Sequence, residues 1–133
     1  MAIKDNTFKK EERLCSKRLL NSLFASSSSF LLYPFRVVWK ESEDLTQKYP
    51  AQVVISVPKK RFKHSVDRNL IKRRIREAYR KNKGDLLYKA LVEDNQKIVF
   101  SINYVGKEIL DYHFLEEKMV KMLKMLVKQL KDA

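Results

Sequence analysis

The sequence predicts one domain of the α+β class, and three observations carry that expectation. Apolar residues recur at helical spacing in two stretches, around residues 71–79 and 115–130. Three short runs, residues 35–39, 52–57 and 97–104, are rich in the β-branched and aromatic residues that suit strands. A length of 133 residues allows one real core and is too short for two comfortable ones. Apolar residues at 44% and charged residues at 34% describe a globular chain, and only two Gly and three Pro favour long regular elements.

Taken in order, residues 1–12 are polar and read as extended or frayed. Ser16 is placed to cap a helix running to about residue 25, with Leu19, Leu20, Leu23 and Phe24 as its apolar side. The serine run 26–29 reads as a breaker. Pro34 then leads into a strand over residues 35–39. Residues 41–48 are polar and acidic enough to be an exposed hairpin connection. The strand over 52–57 stops at Pro58, which cannot continue a central ladder. A long basic helix follows, and Asn82-Lys83-Gly84 reads as its stop. A short helix is expected over 86–92 and the clearest strand over 97–104. The last segment, residues 111–131, places Leu115, Met119, Met122, Leu123, Leu126 and Leu130 on one face. That stripe fits packing on the sheet better than capture of a partner helix. There is no internal repeat.

Charge decides the partner class. Residues 59–83 hold twelve Lys and Arg against two acids, Asp67 and Glu77, so this window carries +10 of the chain's +13. The remaining 17 cations and 14 acids nearly balance. Cationic charge concentrated on a helix is the footprint of a polyanion-binding surface. On a wheel, Ile71, Ile75, Ala78 and Tyr79 form the core-facing stripe, while Asn69, Lys72, Arg73, Arg76 and Arg80 fill one flank. Arg74 and Lys81 lie on the other flank beside Leu70. Asp67 is the expected N-cap, and Glu77 stands four residues before Lys81, a spacing for an ion pair. Guanidinium groups match phosphates with two-point contacts and stack on bases. The preceding segment, with Lys59, Lys60, Arg61 and Lys63, reads as a mobile basic loop.

Other chemistries find no support. The single Cys15 cannot form an internal disulfide, which fits a reducing cytosol and the role of a small apolar filler. No apolar stretch is long enough to span a membrane, and Lys4, Asp5, Lys9 and Lys10 leave no room for a signal-peptide core. A cytoplasmic location is expected. His64 and His113 stand far apart without carboxylate or Cys partners, so no protein-built metal site is expected. No paired carboxylates or nucleophile–base signature is present.

Ser56-Val57-Pro58-Lys59-Lys60, followed by Val66-Asp67-Arg68-Asn69-Leu70-Ile71-Lys72-Arg73-Arg74-Ile75-Arg76-Glu77, resembles the signature of the protein component of bacterial ribonuclease P. That family shows a strand ending in Ser-x-x-Lys-Lys, a short loop, and a helix bearing Arg-Asn-Arg-x-Lys-Arg-x-x-Arg. Arg68, Asn69, Lys72, Arg73 and Arg76 match the helix pattern. Arg13-Leu14, Phe24, Phe35, the late strand and the terminal helix extend the resemblance from about residue 8 onward. Three positions depart from it. Leu70 replaces the third residue of the Arg-Asn-Arg triplet, with Arg74 a candidate to take its place in space. Leu20 stands where a second Phe is usual, and the 60–68 loop is about one residue longer.

The resemblance implies a small two-layer α/β sandwich with a mixed sheet, helices at both termini and a left-handed strand–helix–strand crossover, against the usual hand. It implies one RNA-binding domain over 1–133 that assists a catalytic RNA in removing the 5′ leader from precursor tRNA. The RNA and its magnesium ions would perform the hydrolysis, leaving the polypeptide non-catalytic. Its partners would be the catalytic RNA and precursor tRNA, with no membrane and no obligate protein partner. Lys59, Lys60, Arg68, Asn69, Lys72, Arg73 and Arg76 would face the catalytic RNA, and Arg61, Lys63 and Arg80 extend that cationic surface. Phe24, Phe35 and Val38 would line a leader cleft, where rings stack on single-stranded bases. For the two Phe residues, ordinary core packing is an equal alternative. Composition alone would also suit a structural, ribosomal-type RNA-binding protein. A DNA-binding regulator fits less well, since a strand runs almost directly into the basic helix.

Overall fold

The computed structural model describes residues 7–14, 16–25, 27–42 and 47–132, with the side chains of Leu19 and Phe24 outside that description. Cys15 and Ser26 are also outside it. A 3₁₀ turn at Lys10–Glu12 precedes helix α1 (Lys17–Ala25) and strands β1 (Ser28–Leu32), β2 (Phe35–Glu41) and β3 (Ala51–Ser56). Helix α2 (Ser65–Lys83) runs through a π turn (Gly84–Tyr88) into α3 (Lys89–Glu93). Strand β4 (Ile98–Tyr104) and helix α4 (Tyr112–Asp132) complete the chain.

The strands form one mixed sheet in the order β1-β2-β4-β3. β1 and β2 are an antiparallel hairpin whose two-residue turn is the cis Tyr33–Pro34 peptide, with Leu32 opposite Phe35. β4 runs antiparallel to β2, placing Val37 opposite Ile102, and parallel to β3, placing Val53 opposite Phe100. Parallel neighbours need a crossover connection, which α2, the π turn and α3 supply. β2 and β3 are therefore not a hairpin: β4 lies between them, and the expected 41–48 hairpin connection is corrected accordingly. Residues 43–46 of that stretch lie outside the described ones, while Gln47 is buried and donates to the Tyr49 and Ile98 carbonyls.

Strand alternation gives the sheet two faces. Phe35, Val37, Trp39, Val53, Phe100 and Ile102 are buried towards α2 and α4 in the main core. Val38, Val54 and Val99 point the other way and pack with Leu14, Leu20 and Leu23. Helix α1 thus covers part of the sheet's outer face. The predicted α4 stripe is buried at every position, and Asp111 caps that helix by accepting from the Phe114 N–H at 2.8 Å. Trp39 of β2 reaches across to α4, its indole N–H donating to Gln129 Oε1 at 2.9 Å.

α1 ends at Ala25, before the serine run, as expected, but an unforeseen strand β1 follows, because Phe30 and Leu32 pack against the main core despite the serines before them. Two more expectations change. Gly84 does not stop α2: its backbone is right-handed helical, and the π turn carries the chain on so that Leu87, Tyr88 and Leu91 are buried. Within the polar N-terminal segment, Glu12 is buried instead of frayed.

Glu12 is held by a network that ties distant parts of the chain together. Its Oε1 accepts from Lys83 Nζ and from the Tyr88 hydroxyl, the latter at 2.6 Å, and its Oε2 accepts from the Lys9 N–H at 2.6 Å. The Lys83 and Glu12 side chains are each 1% exposed. Lys83 also donates to the Thr7 carbonyl and lies over the Phe8 and Tyr88 rings. Next to this network, Leu14 N–H donates to the Val53 carbonyl at 2.9 Å, so the N-terminal segment covers the open edge of β3.

Removing one member of a buried ion pair strands the other charge. Glu12→Gln and Lys83→Met should each cost about 3–5 kcal/mol in urea unfolding. The double variant Glu12→Gln/Lys83→Met should lose clearly less than the two singles combined. Additive losses would show that the pair does not act as a unit.

Candidate nucleic-acid interface

The basic helix forms as its wheel predicts. Ile71, Ile75, Ala78 and Tyr79 are each fully buried. Asn69, Arg73 and Arg76 are exposed, and Arg68, Lys72 and Arg80 are half-exposed. Lys59, Lys60, Arg61 and Lys63 are all exposed on the segment joining β3 to α2. The other flank is occupied by α4: Arg74 donates to the Leu110 carbonyl at 2.7 Å, and Lys81 lies over the Tyr112 ring at 5.5 Å. Arg74 therefore does not stand in for the cation missing at Leu70.

The segment before α2 is pinned, correcting the mobile loop expected there. Phe62 is buried with its ring centroid 5.9 Å from that of Tyr104. Arg68 donates to the carbonyls of Phe62 and Lys63 at 2.8 and 2.9 Å, and Arg61 donates to Val105 at 2.5 Å. Arg68 and Arg61 thus hold the backbone that presents Lys59, Lys60 and Lys63. The helix begins at Ser65 after His64, three residues earlier than expected, so Asp67 sits inside the first turn instead of at the N-cap. There it keeps the sign that favours the helix dipole.

Glu77 pairs with Arg80 in place of the expected Lys81. Arg80 Nη2 and Nε reach its two oxygens at 2.6 and 3.1 Å. That hydrogen bond is the main reason the Glu77 carboxyl lies below its ordinary range and the Arg80 guanidinium above its own. Because the carboxyl is depressed, the pair is present above the ordinary carboxylate range and fades as pH falls through the lowered value. Lys72, Arg73 and Arg76 form no hydrogen bond or ion pair with a described residue. On this flank they are cations whose charge no described residue shares. The Tyr112 hydroxyl beside this end of the helix is pushed up to about 12, first by burial and then by its contact with Glu116, so it stays neutral.

Beside the basic loop, the outer sheet face opens into a cleft of about 500 Å³. Arg36, Val38, Ser56, Lys60, Arg61 and Asn103 line it, among others. The Ser56 hydroxyl donates to Asn103 Oδ1 at 2.5 Å, and Asn103 Nδ2 donates to Ser101 Oγ at 3.2 Å. Val38 belongs both to this cleft and to the cluster under α1, so the cleft adjoins that cluster at one end and the basic loop at the other. Phe35 does not reach it: the ring is fully buried on the opposite face and takes the core-packing alternative. The Phe24 side chain lies outside the described residues. Sequence reading missed Arg36, Ser56 and Asn103 as lining residues. Strand alternation was the available signal, since each precedes or follows a core residue by one position.

A family model described as Ribonuclease P matches residues 8–127. The ribonuclease P protein component of Porphyromonas gingivalis is 37% identical over 114 residues, covering 86% of this chain and 82% of that one. The chain belongs to the ribonuclease P protein family. It is a protein subunit of that tRNA-processing ribonuclease, and an RNA subunit is its partner. The Chlorobium phaeobacteroides component is 36% identical over 83 residues, 61% of this chain and 57% of that one. Among solved structures, the RNase P protein of Thermotoga maritima superposes with a TM-score of 0.66 at 24% identity, covering 86% of this chain and 96% of that one. The Staphylococcus aureus RNase P protein gives 0.64 at 18% identity, covering 86% and 94%. The α+β fold is the one these family members share.

Glu77→Gln should remove this ion pair from Arg80 at a helix cost of only about 0.2–0.5 kcal/mol. If Arg80 is part of the interface, the salt slope for the RNA subunit should steepen by up to roughly 0.7–0.9. An unchanged slope in a filter-binding salt series would exclude Arg80 from the contact.

Proposed function

We propose that the cationic flank of α2 and the loop before it bind the RNA subunit, while the outer sheet cleft holds the 5′ leader of precursor tRNA. One observation carries this reading: Lys60 and Arg61 belong to the basic segment and also line the cleft. A leader strand leaving the RNA-bound surface would meet the cleft without crossing an uncharged gap. The cleft offers a half-buried apolar wall at Val38 and polar groups at Arg36, Ser56 and Asn103. Those are the ingredients for an extended single strand.

In this reading the polypeptide supplies binding and the RNA performs the hydrolysis. Magnesium belongs with the RNA, because the basic face does not fit it. Among the described residues no three His, Cys, Asp or Glu side chains gather to hold a metal. Of the two α2 acids, Asp67 lies in the first turn and Glu77 is engaged by Arg80. Precursor tRNA and the RNA subunit are sufficient partners, without an obligate second protein, and the site of action is the cytoplasm. Among the described residues no helix is long and apolar enough to cross a membrane.

Arg73→Ala and Arg76→Ala should each weaken binding to the RNA subunit by about 10- to 150-fold, since a charge-assisted hydrogen bond contributes roughly 1.5–3 kcal/mol. Each should also lower the salt slope by about 0.7–0.9. Unchanged affinity and slope in both would remove the α2 flank from the interface. Val38→Glu places a negative charge in the cleft and should weaken holoenzyme binding of precursor tRNA more than of mature tRNA. Equal losses for the two would place the leader elsewhere.

A further inference from the structure

The positive charge of this chain resides in two places, and the basic helix is only one. Residues 118–131 hold five lysines and no acid. Outside that stretch and the 59–83 window, twelve cations face fourteen acids. Lys121, Lys124, Lys128 and Lys131 recur at alternating three- and four-residue steps on α4 and are all exposed. They fall within ~80° on the helical wheel and span about 15 Å along the axis. None forms a hydrogen bond or ion pair with a described residue. Neighbouring lysines at these spacings repel, a cost that Glu117 four residues before Lys121, Asp132 four residues after Lys128 and the helix dipole at Lys131 offset only in part.

The apolar side of α4 is already used, with Leu115, Met119, Met122, Leu123 and Leu126 each fully buried in the core. The helix therefore has no free apolar face to insert into a lipid surface. The lysine stripe carries no arginine, aromatic ring or amide that could read a base. What remains is a row of point charges suited to a phosphodiester backbone. The side-chain ties from α2 to α4 and the turn before it end at Leu110, Tyr112 and Glu116. The stripe occupies the later turns and is separate from the flank described above.

We infer that the α4 lysine stripe is a second RNA-binding track, which contacts the phosphodiester backbone of the RNA subunit without regard to sequence. This rests on the RNA subunit being the partner.

The test is a salt series of RNA-subunit binding by the full chain carrying Lys121→Gln, Lys124→Gln, Lys128→Gln and Lys131→Gln together. Gln keeps helix propensity, and the repulsion it removes is of the same size as the dipole and i,i+4 pairings it gives up, so the melting temperature should change little. The slope of log affinity against log salt should fall by roughly three, at about 0.7–0.9 for each of the four cations. The matching fourfold Lys→Arg variant should keep the wild-type slope. An unchanged slope in the Gln variant would make the stripe a solvated face and overturn the inference. A drop seen only for precursor tRNA added to preformed holoenzyme would overturn the choice of occupant. If Arg73→Ala flattens the slope while the α4 variant does not, this inference alone fails. If neither does, the reading of the α2 flank falls with it.

Discussion

Burial of one side of α2 is the constraint on which the rest of the structure depends. Ile71, Ile75 and Tyr79 are completely removed from water between the sheet and α4. Such burial contributes roughly 1.5–3 kcal/mol for each large apolar side chain. Against it stands repulsion among Arg68, Lys72, Arg76 and Arg80, about 0.2–0.5 kcal/mol for each like pair. Burial wins by a clear margin, and the Glu77–Arg80 pair relieves part of the repulsion. The helix can therefore hold a row of cations that a free peptide of this sequence would disfavour. Orientation follows from the same burial: with the core side fixed, Lys72, Arg73 and Arg76 have only solvent or an anionic partner to face.

The parallel pairing of β3 with β4 places that helix relative to the cleft. Because β3 ends at Ser56 and Pro58 cannot extend it, the chain leaves the sheet at the rim of the cleft. Phe62, Arg61 and Arg68 then anchor the connecting segment to Tyr104, to Val105 and to itself. A basic loop pinned this way loses less entropy on binding than a mobile one would. The Glu12–Lys83–Tyr88 network does a related job at the far end of α2, fixing the N-terminal segment to the π turn.

What could be read from the sequence was what depends on local pattern. The α2 and α4 stripes, the three strand runs and the family signature are periodicities or short motifs, and the structure keeps each of them. Apart from the Asp67 cap and the Glu77 partner, which are local to α2, the errors came from long-range contacts. Glu12 looks like one more polar residue until Lys83, 71 positions away, is brought beside it. Gly84 resembles a helix stop until burial of Leu87 and Leu91 draws the chain onward. The hairpin expected between β2 and β3 failed because β4, more than forty residues later, takes the place between them. Phe35 shows the same limit at the site: strand alternation sends Arg36 and Val38 to the cleft and Phe35 to the core.

The central claim is that this chain acts as the binding subunit of an RNA-based nuclease. Its most direct test is cleavage of a 5′-labelled precursor tRNA by a bacterial ribonuclease P RNA at low magnesium, with and without the protein. The account predicts that the protein restores cleavage at the mature 5′ end and cuts nothing by itself. Failure to restore cleavage despite tight, salt-sensitive RNA binding, or cleavage by the protein alone, would contradict it.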